Sequence, residues 1–312
     1  MFHDWIDEAR PQTLLLGSTN CALGCALGFY YGEVTLYTVI TAFFVVVTGV
    51  LLQVVSNFAN DYGDAYAKSD GEKRLGPIRA VMTGAISLSQ LRKGMATVIL
   101  LCVLSGLIAL FLAVGNNIQV LAWFVFLGAL SILAALFYTM GFAYGRKGLG
   151  DLFVLVFFGC VAVIGSQLLI TSASGGGFDM YPDTFLLAFS AGCGSVMVLH
   201  VNAMRDVDED RLSGKRTLAA RMSYKASAGY LLGLFTAVTL TSCAACFYSH
   251  KGWEIFILLF SLVPLLTSTI RAVKNVRDGA KIAPELKFTS LGCSIHHIAW
   301  MVVLVVDYWV YY

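Results

Sequence analysis

Charge is scarce in these 312 residues: Asp, Glu, Lys and Arg together make up 13%, against 58% hydrophobic residues. A soluble domain carries roughly a quarter charged residues, so that class is excluded and a polytopic membrane protein is expected. Proline is also rare, with five in all, which leaves long apolar runs free to continue as helices. The net charge of +2 is too small for a basic field that would bind nucleic acid, and no such partner is expected. The first apolar run lacks the positive leader of a signal peptide, since Asp4, Asp7, Glu8 and Arg10 precede it, and it is expected to be retained as a helix. All eight Cys lie in apolar runs, and the one C-x-x-C, Cys243 to Cys246, sits among Ala and Thr. That placement suits small packing residues better than a redox or metal framework.

What the chain does have is nine apolar runs, near 13–31, 36–58, 95–115, 118–139, 152–173, 184–203, 226–248, 253–270 and 289–311, each close to the length a bilayer requires. If successive loops alternate between membrane faces, every one of the 21 Lys and Arg except Lys251 falls on the same side. Positive residues are retained in the cytoplasm, which puts the N-terminus and the polar loops inside the cell (inner) membrane and the C-terminus outside. A missed or invented span would scramble this segregation downstream, so the charge pattern supports the count as well.

Where charge occurs, it clusters. Residues 57–79 read N-F-A-N-D-Y-G-D-A-Y-A-K-S-D-G-E-K-R-L-G-P-I-R and join the second run to a polar loop. If the helix continues for two more turns, Asn57, Asn60, Asp61 and Asp64 fall at i, i+3, i+4 and i+7 and share a face. Asp70 and Arg79 follow in a loop broken by Gly71, Gly76 and Pro77. The sixth run ends in the same way, with Asn202, Asp206 and Asp210 at i, i+4 and i+8, then Gly214, Lys215 and Arg216. Asn57 and Asn202 are 145 residues apart, as are Asp61 and Asp206. One domain over 1–312 is therefore expected, built from a duplicated four-helix unit, about 13–139 and 152–270, with a ninth helix left over. Such halves would bring the two motifs face to face across a central cavity. The loop Gly141 to Asp151 is glycine-rich and basic, with Tyr138 just before it, and is expected to wall that cavity.

An Asp at a helix centre in the membrane costs about 2.5 to 3.5 kcal/mol, and less near the ends. Clustered acids also repel one another unless cations lie between them. Mg2+ binds through one or two carboxylates while bridging substrate phosphates, and neighbouring Lys and Arg complete a site for a diphosphate. One Asp-rich helix end alone would read as a solvated surface. Two on the same membrane side, each followed by a basic loop containing Gly, point to metal and diphosphate. A transporter of an anionic solute is the alternative from another class, but its polar residues belong near the bilayer midplane rather than at one face. A lipid phosphotransferase would carry a D-G-x-x-A-R signature, which is absent.

N-D-Y-G-D with the later Asp70, and N-A-M-R-D-V-D-E-D-R-L-S-G-K-R-T-L, resemble the two Asp-rich motifs of the UbiA-type intramembrane aromatic prenyltransferases. Within that superfamily, A-R-P-Q-T-L, N-F-A-N-D-Y-G-D, G-P-I-R and Y-G-R-K-G-L-G-D-L-F-V followed by F-F-G resemble the 1,4-dihydroxy-2-naphthoate polyprenyltransferases of menaquinone synthesis. The likeness covers most of residues 5–221. The general pattern has its third Asp where this chain has Lys68, and Asp70 two positions later resembles the spacing of the naphthoate branch rather than the hydroxybenzoate branch.

The resemblance implies an all-α bundle of nine transmembrane helices around a central cavity open to lipid. It implies a polyprenyl diphosphate and an aromatic acceptor as substrates, dihydroxynaphthoate or alternatively 4-hydroxybenzoate, with Mg2+ as cofactor. By the same likeness Asp61, Asp64, Asp206 and Asp210 are catalytic and hold the metal together with Asp70, assisted by Asn57, Asn60 and Asn202. Arg79, Lys215 and Arg216 would contact the diphosphate, and Tyr138 would face substrate. His200, two residues before Asn202, is expected to be structural. His296 and His297 diverge by about 100° on a helix, so no chelating pair is expected there.

Overall fold

Leu36–Tyr66 runs for 31 residues without a proline and forms one unbroken helix, α3. At about 1.5 Å per residue it is about 45 Å long, well beyond a hydrocarbon core of about 30 Å, so its last turns stand clear of the apolar layer. Those turns carry the first Asp-rich motif. The computed structural model describes residues 2–66, 80–115, 117–249 and 252–311. Before α3 come α1 (Phe2–Ala9) and α2 (Pro11–Tyr31). After it follow α4 (Leu88–Val114), α5 (Ile118–Phe137), α6 (Gly150–Ala173), α7 (Pro182–Arg205), the short α8 (Val207–Leu212), α9 (Tyr224–Ser249), α10 (Ile255–Lys274) and α11 (Glu285–Tyr311).

Among the described residues, nine helices (α2 to α7 and α9 to α11) are long and apolar enough to cross a membrane, and no strand occurs. The expected spans coincide with them, and differ where polar residues carry a helix past its apolar run. Thus α3 continues to Tyr66, and α4 begins at Leu88, where the Ser87 hydroxyl accepts from the Gln90 amide at 3.2 Å and the Gln90 side chain accepts from the Ser87 amide at 2.8 Å. This reciprocal cap satisfies two of the N–H groups a helix start leaves open.

The helix α2 packs against α3, α6, α7 and α11. Within α6, Leu155–Ile164 widens into π turns, and the Asn20 side chain of α2 donates to the Phe158 carbonyl there at 3.0 Å and to Ser195 of α7 at 3.0 Å. An inserted polar side chain of this kind satisfies a carbonyl that the widened helix displaces. The buried histidines are engaged in the packing. His296 sits between the Ser242 and Ser261 hydroxyls, each at 2.8 Å, and His297 faces Thr19 at 3.3 Å. His200 meets the Ser227 hydroxyl at 2.9 Å and lies edge-on to Tyr230.

Candidate active site

The first motif is arranged as its spacing predicts. Asn57, Asp61 and Asp64 are buried on one face of α3, and Asn60 is half-buried at its edge. The amphipathic α1 lies across this end of the bundle, with Trp5 against Phe58 at 5.6 Å. Asn57 donates to the Ala9 carbonyl at 2.8 Å and to the Thr13 hydroxyl at 3.3 Å, which fixes the turn from α1 into α2. At that turn Arg10 adopts φ 54°, a left-handed conformation unfavourable for a side chain, and its guanidinium pairs with Asp61. Arg10 thus does more than mark topology.

The second motif departs from a straight helical face. Backbone hydrogen bonds from Asp206 to Asn202 (3.3 Å) and from Asp210 to Asp206 (2.8 Å) continue, yet Asp206 itself takes φ −98°, ψ 11° and bends the chain from α7 into α8. Its carboxylate folds back onto Arg205 in a two-pronged pair at 2.7 and 2.5 Å. Asp210, beyond the bend, turns toward the first motif. The Lys215 ammonium stands 3.7 Å from Asp210 and 3.7 Å from Asp64, so one positive charge gathers a carboxylate from each motif. Thr217 donates to the other Asp210 oxygen at 3.1 Å. Burial pushes the Asp210 carboxyl up to about 6, helped by the like charges of Asp206 and Asp64, with Lys215 and Thr217 opposing.

The glycine-rich loop closes the cluster. Arg146 donates to Asp64 at 2.8 Å, and its carbonyl accepts from the Arg216 amide at 2.8 Å, so the glycine-rich loop and the second motif are tied backbone to backbone. Gly148 has φ 80°, and a Cβ there would sit 2.8 Å from the Arg216 carbonyl, which only glycine avoids. Tyr138 packs over Gly145, where a side chain would meet its ring at 2.6 Å. Arg216 has an exposed side chain and joins the cluster through its main chain. Asp70 and Arg79 lie outside the described residues.

A cavity of about 1210 Å3 opens beside this cluster. Asn57, Asn60, Asp61, Tyr138 and Asn202 line its polar end, together with Arg10 and Arg205. Leu127, Ile132, Phe153, Phe157, Phe158 and Leu169 line the rest. Asp64, Asp206, Asp210, Lys215 and Arg216 are not in its wall; they form the shell just outside. Among the described residues no three acids, His or Cys already converge as a metal cage. The donor set nonetheless fits a hard cation that takes one or two carboxylates and fills its other positions with water and phosphate oxygens. Two carboxylates facing one ammonium are that arrangement with Lys215 standing where positive charge belongs. Sequence reasoning did not assign Arg10, Arg146 or Arg205 a place at the acids, although all three lie inside the quoted motifs and Arg205 is the neighbour of Asp206.

Residues 21–292 match the model of the UbiA prenyltransferase family. The chain belongs to this family. It is 33% identical over 310 residues to the 1,4-dihydroxy-2-naphthoate octaprenyltransferase of Escherichia coli, covering 98% of this chain and 96% of that one. In fold it is similar to the apo structure of a UbiA homologue from Aeropyrum pernix, with TM-score 0.68, 16% identity, and 96% and 98% of the two chains covered. It is also similar to a UbiA homologue from Archaeoglobus fulgidus bound to GPP and Mg2+, with TM-score 0.60, 16% identity, and 97% and 99% covered. The protein is therefore a multi-pass membrane prenyltransferase of the UbiA family, and the expected nine-helix architecture holds.

Proposed function

We propose that this UbiA-family enzyme transfers a polyprenyl group from a polyprenyl diphosphate to 1,4-dihydroxy-2-naphthoate, giving demethylmenaquinol, the reduced form of demethylmenaquinone, with release of diphosphate and CO2. The observation that carries the reading is the meeting of Asp64 and Asp210 at Lys215, one turn beyond Asp61, which lines a largely apolar cavity of about 1210 Å3. The naphthoate acceptor follows the Escherichia coli relative, which matches nearly the whole chain, and the motif likeness. Prenyl diphosphate and Mg2+ follow the archaeal relative bound to GPP and Mg2+.

In this reading Asp61, Asp64, Asp206 and Asp210 hold Mg2+, with Asn57, Asn60 and Asn202 assisting and Asp70 contributing from the motif loop. When bound, the metal stabilises negative charge on the departing diphosphate. Lys215 and Arg146 take the diphosphate oxygens, joined by Arg79 and Arg216. The apolar wall receives the prenyl tail and keeps water from the allylic C1 carbon. Tyr138 positions the ring at the polar end. The electron-rich ring carbon bearing the carboxylate attacks C1 as the C1–O bond to diphosphate breaks, and the carboxylate leaves as CO2, returning its electron pair to the ring. In this reading the polar end faces the cytoplasm, the side to which the Lys and Arg of the loops segregate.

Carboxyl-labelled 1,4-dihydroxy-2-naphthoate tests this with purified protein, Mg2+ and a polyprenyl diphosphate. The label is expected to appear as CO2 in step with pyrophosphate, and 4-hydroxybenzoate is expected to be a poor acceptor because one ring sits loosely in a cavity shaped for two. Good use of 4-hydroxybenzoate with the naphthoate ignored would overturn the acceptor assignment. No pyrophosphate with either ring would overturn transferase activity toward these acceptors.

A further inference from the structure

Among the described residues, three cations line the cavity: Arg10, Arg205 and Lys287. Arg10 is paired with Asp61 and Arg205 with Asp206. Lys287, in the first turn of α11, has no ion pair or hydrogen bond among the described residues, and it is exposed while contributing to the cavity lining. The acid nearest to it in sequence is already committed: Glu285 takes Arg271 at 2.8 and 3.1 Å and the Ser268 hydroxyl at 2.8 Å. A lysine in the first turn of a helix also faces the positive end of the helix dipole, where an acid would be favoured. Neither local pairing nor helix stability accounts for a positive charge at this position.

Its placement points inward. Lys287 and Ser290 are i and i+3 on α11 and share a face. Ser290 donates to the Gln12 carbonyl at 2.9 Å, and Gln12 is two residues from Arg10, which reaches Asp61. Lys287 is thus held on the side of the cavity where the first motif opens. It is separate from Arg146 and Lys215, which lie outside the cavity wall around Asp64.

We propose that Lys287 holds the carboxylate of the aromatic acceptor, an inference that rests on the aromatic-acid reading above. An ionised carboxylate entering a largely apolar cavity needs a charged donor, and Arg10 and Arg205, the other cations of the described lining, are already paired with Asp61 and Asp206. A single flexible ammonium also lets go readily: when the carboxylate leaves as CO2, the charge that Lys287 holds is gone and the prenylated ring loses its anchor. The ninth helix thereby supplies a specificity residue from outside both Asp-rich motifs.

Steady-state kinetics of Lys287→Met and Lys287→Arg in proteoliposomes test this. Lys287→Met is expected to raise KM for the carboxylated acceptor about tenfold, the loss of one charged hydrogen bond, with KM for the prenyl diphosphate unchanged. Lys287→Arg is expected to recover most of the loss. The competitive Ki of 1,4-dihydroxynaphthalene, which lacks the carboxylate, is expected to be the same in wild type and Lys287→Met. An unchanged acceptor KM, or an equal rise in KM for the prenyl diphosphate, overturns the proposal. So does a defect that appears only in vesicles of anionic lipid, which would make Lys287 a headgroup contact. If wild type consumes 4-hydroxybenzoate and not the naphthoate, the acceptor assignment has failed by itself, and the same KM ratio measured with 4-hydroxybenzoate decides the role of Lys287.

Discussion

Asp64→Asn and Asp208→Asn separate a metal-diphosphate site from a merely solvated, acid-rich helix end. Both remove one carboxylate charge and keep side-chain volume. Asp64 is 4% exposed and takes Arg146 at 2.8 Å and Lys215 at 3.7 Å. Two unit charges about 4 Å apart interact by about 4 kcal/mol at an effective dielectric of about 20. Breaking a buried pair by removing one partner costs about 3 to 5 kcal/mol. Taking about 3 kcal/mol as the share that bears on holding metal and diphosphate, turnover at fixed, subsaturating Mg2+ is expected to fall about 100-fold. Asp208 has a side chain 74% exposed, bonded to the Tyr224 hydroxyl at 2.8 Å and 3.8 Å from Arg211. A surface pair is worth about 1 kcal/mol at most, so Asp208→Asn is expected to stay within about fivefold of wild type. The assay is pyrophosphate release against Mg2+ concentration, with detergent thermal melts to show that both variants are folded. In Asp64→Asn the Mg2+ needed for half-maximal rate is expected to rise. Equal and small effects of the two substitutions would mean that Asp64 is only a well-packed helix end.

A reporter fused after Tyr312 is expected to be extracytoplasmic and one inserted near Gly279 cytoplasmic, as the segregation of Lys and Arg requires; the reverse pattern would place the motifs on the other membrane face. Calorimetric titration with Mg2+ alone is expected to give weak binding, at millimolar concentrations, and much tighter binding when a prenyl diphosphate is present. Equally tight binding without the diphosphate would refute the view that substrate completes the metal site.

The nine spans were legible because each is an apolar run near bilayer length, and hydrophobicity needs no tertiary information to be read. The buried face of α3 was legible for the same local reason, since Asn57, Asp61 and Asp64 share it by helical periodicity alone. Periodicity misled at Asp206, where the chain bends and the carboxylate is captured by Arg205 next to it. Nothing in the spacing signals that bend. The long-range partners were hidden for another reason. Arg10 meets Asp61 and Arg146 meets Asp64 across 51 and 82 residues, distances that only the packing of α1 and of the glycine-rich loop against α3 can close. Lys287 was invisible to motif reading altogether, because what distinguishes it is that it lines the cavity without a partner among the described residues.

Asp61, Asp64, Asp206 and Asp210 are each held by a cation, and the cations come from four different segments: Arg10 at the start of α2, Arg146 in the glycine-rich loop, Arg205 at the end of α7 and Lys215 after α8. Buried acids would otherwise repel one another, so this pairing lets the motifs fold before any substrate arrives. It also sets how they can be used. A divalent cation alone would have to displace ammonium and guanidinium groups that then lose their partners in a partly desolvated site. In the proposed reaction a diphosphate entering with the metal would offer Arg146 and Lys215 new oxygens as Asp64 and Asp210 are released, so ion pairs would be exchanged rather than lost. Only the prenyl diphosphate brings anion and apolar tail together, and the tail fits the adjoining cavity. Free phosphate or pyrophosphate could make the same ionic exchange but leaves about 1210 Å3 of largely apolar space unfilled, so the proposed function carries with it a preference for the intact prenyl diphosphate.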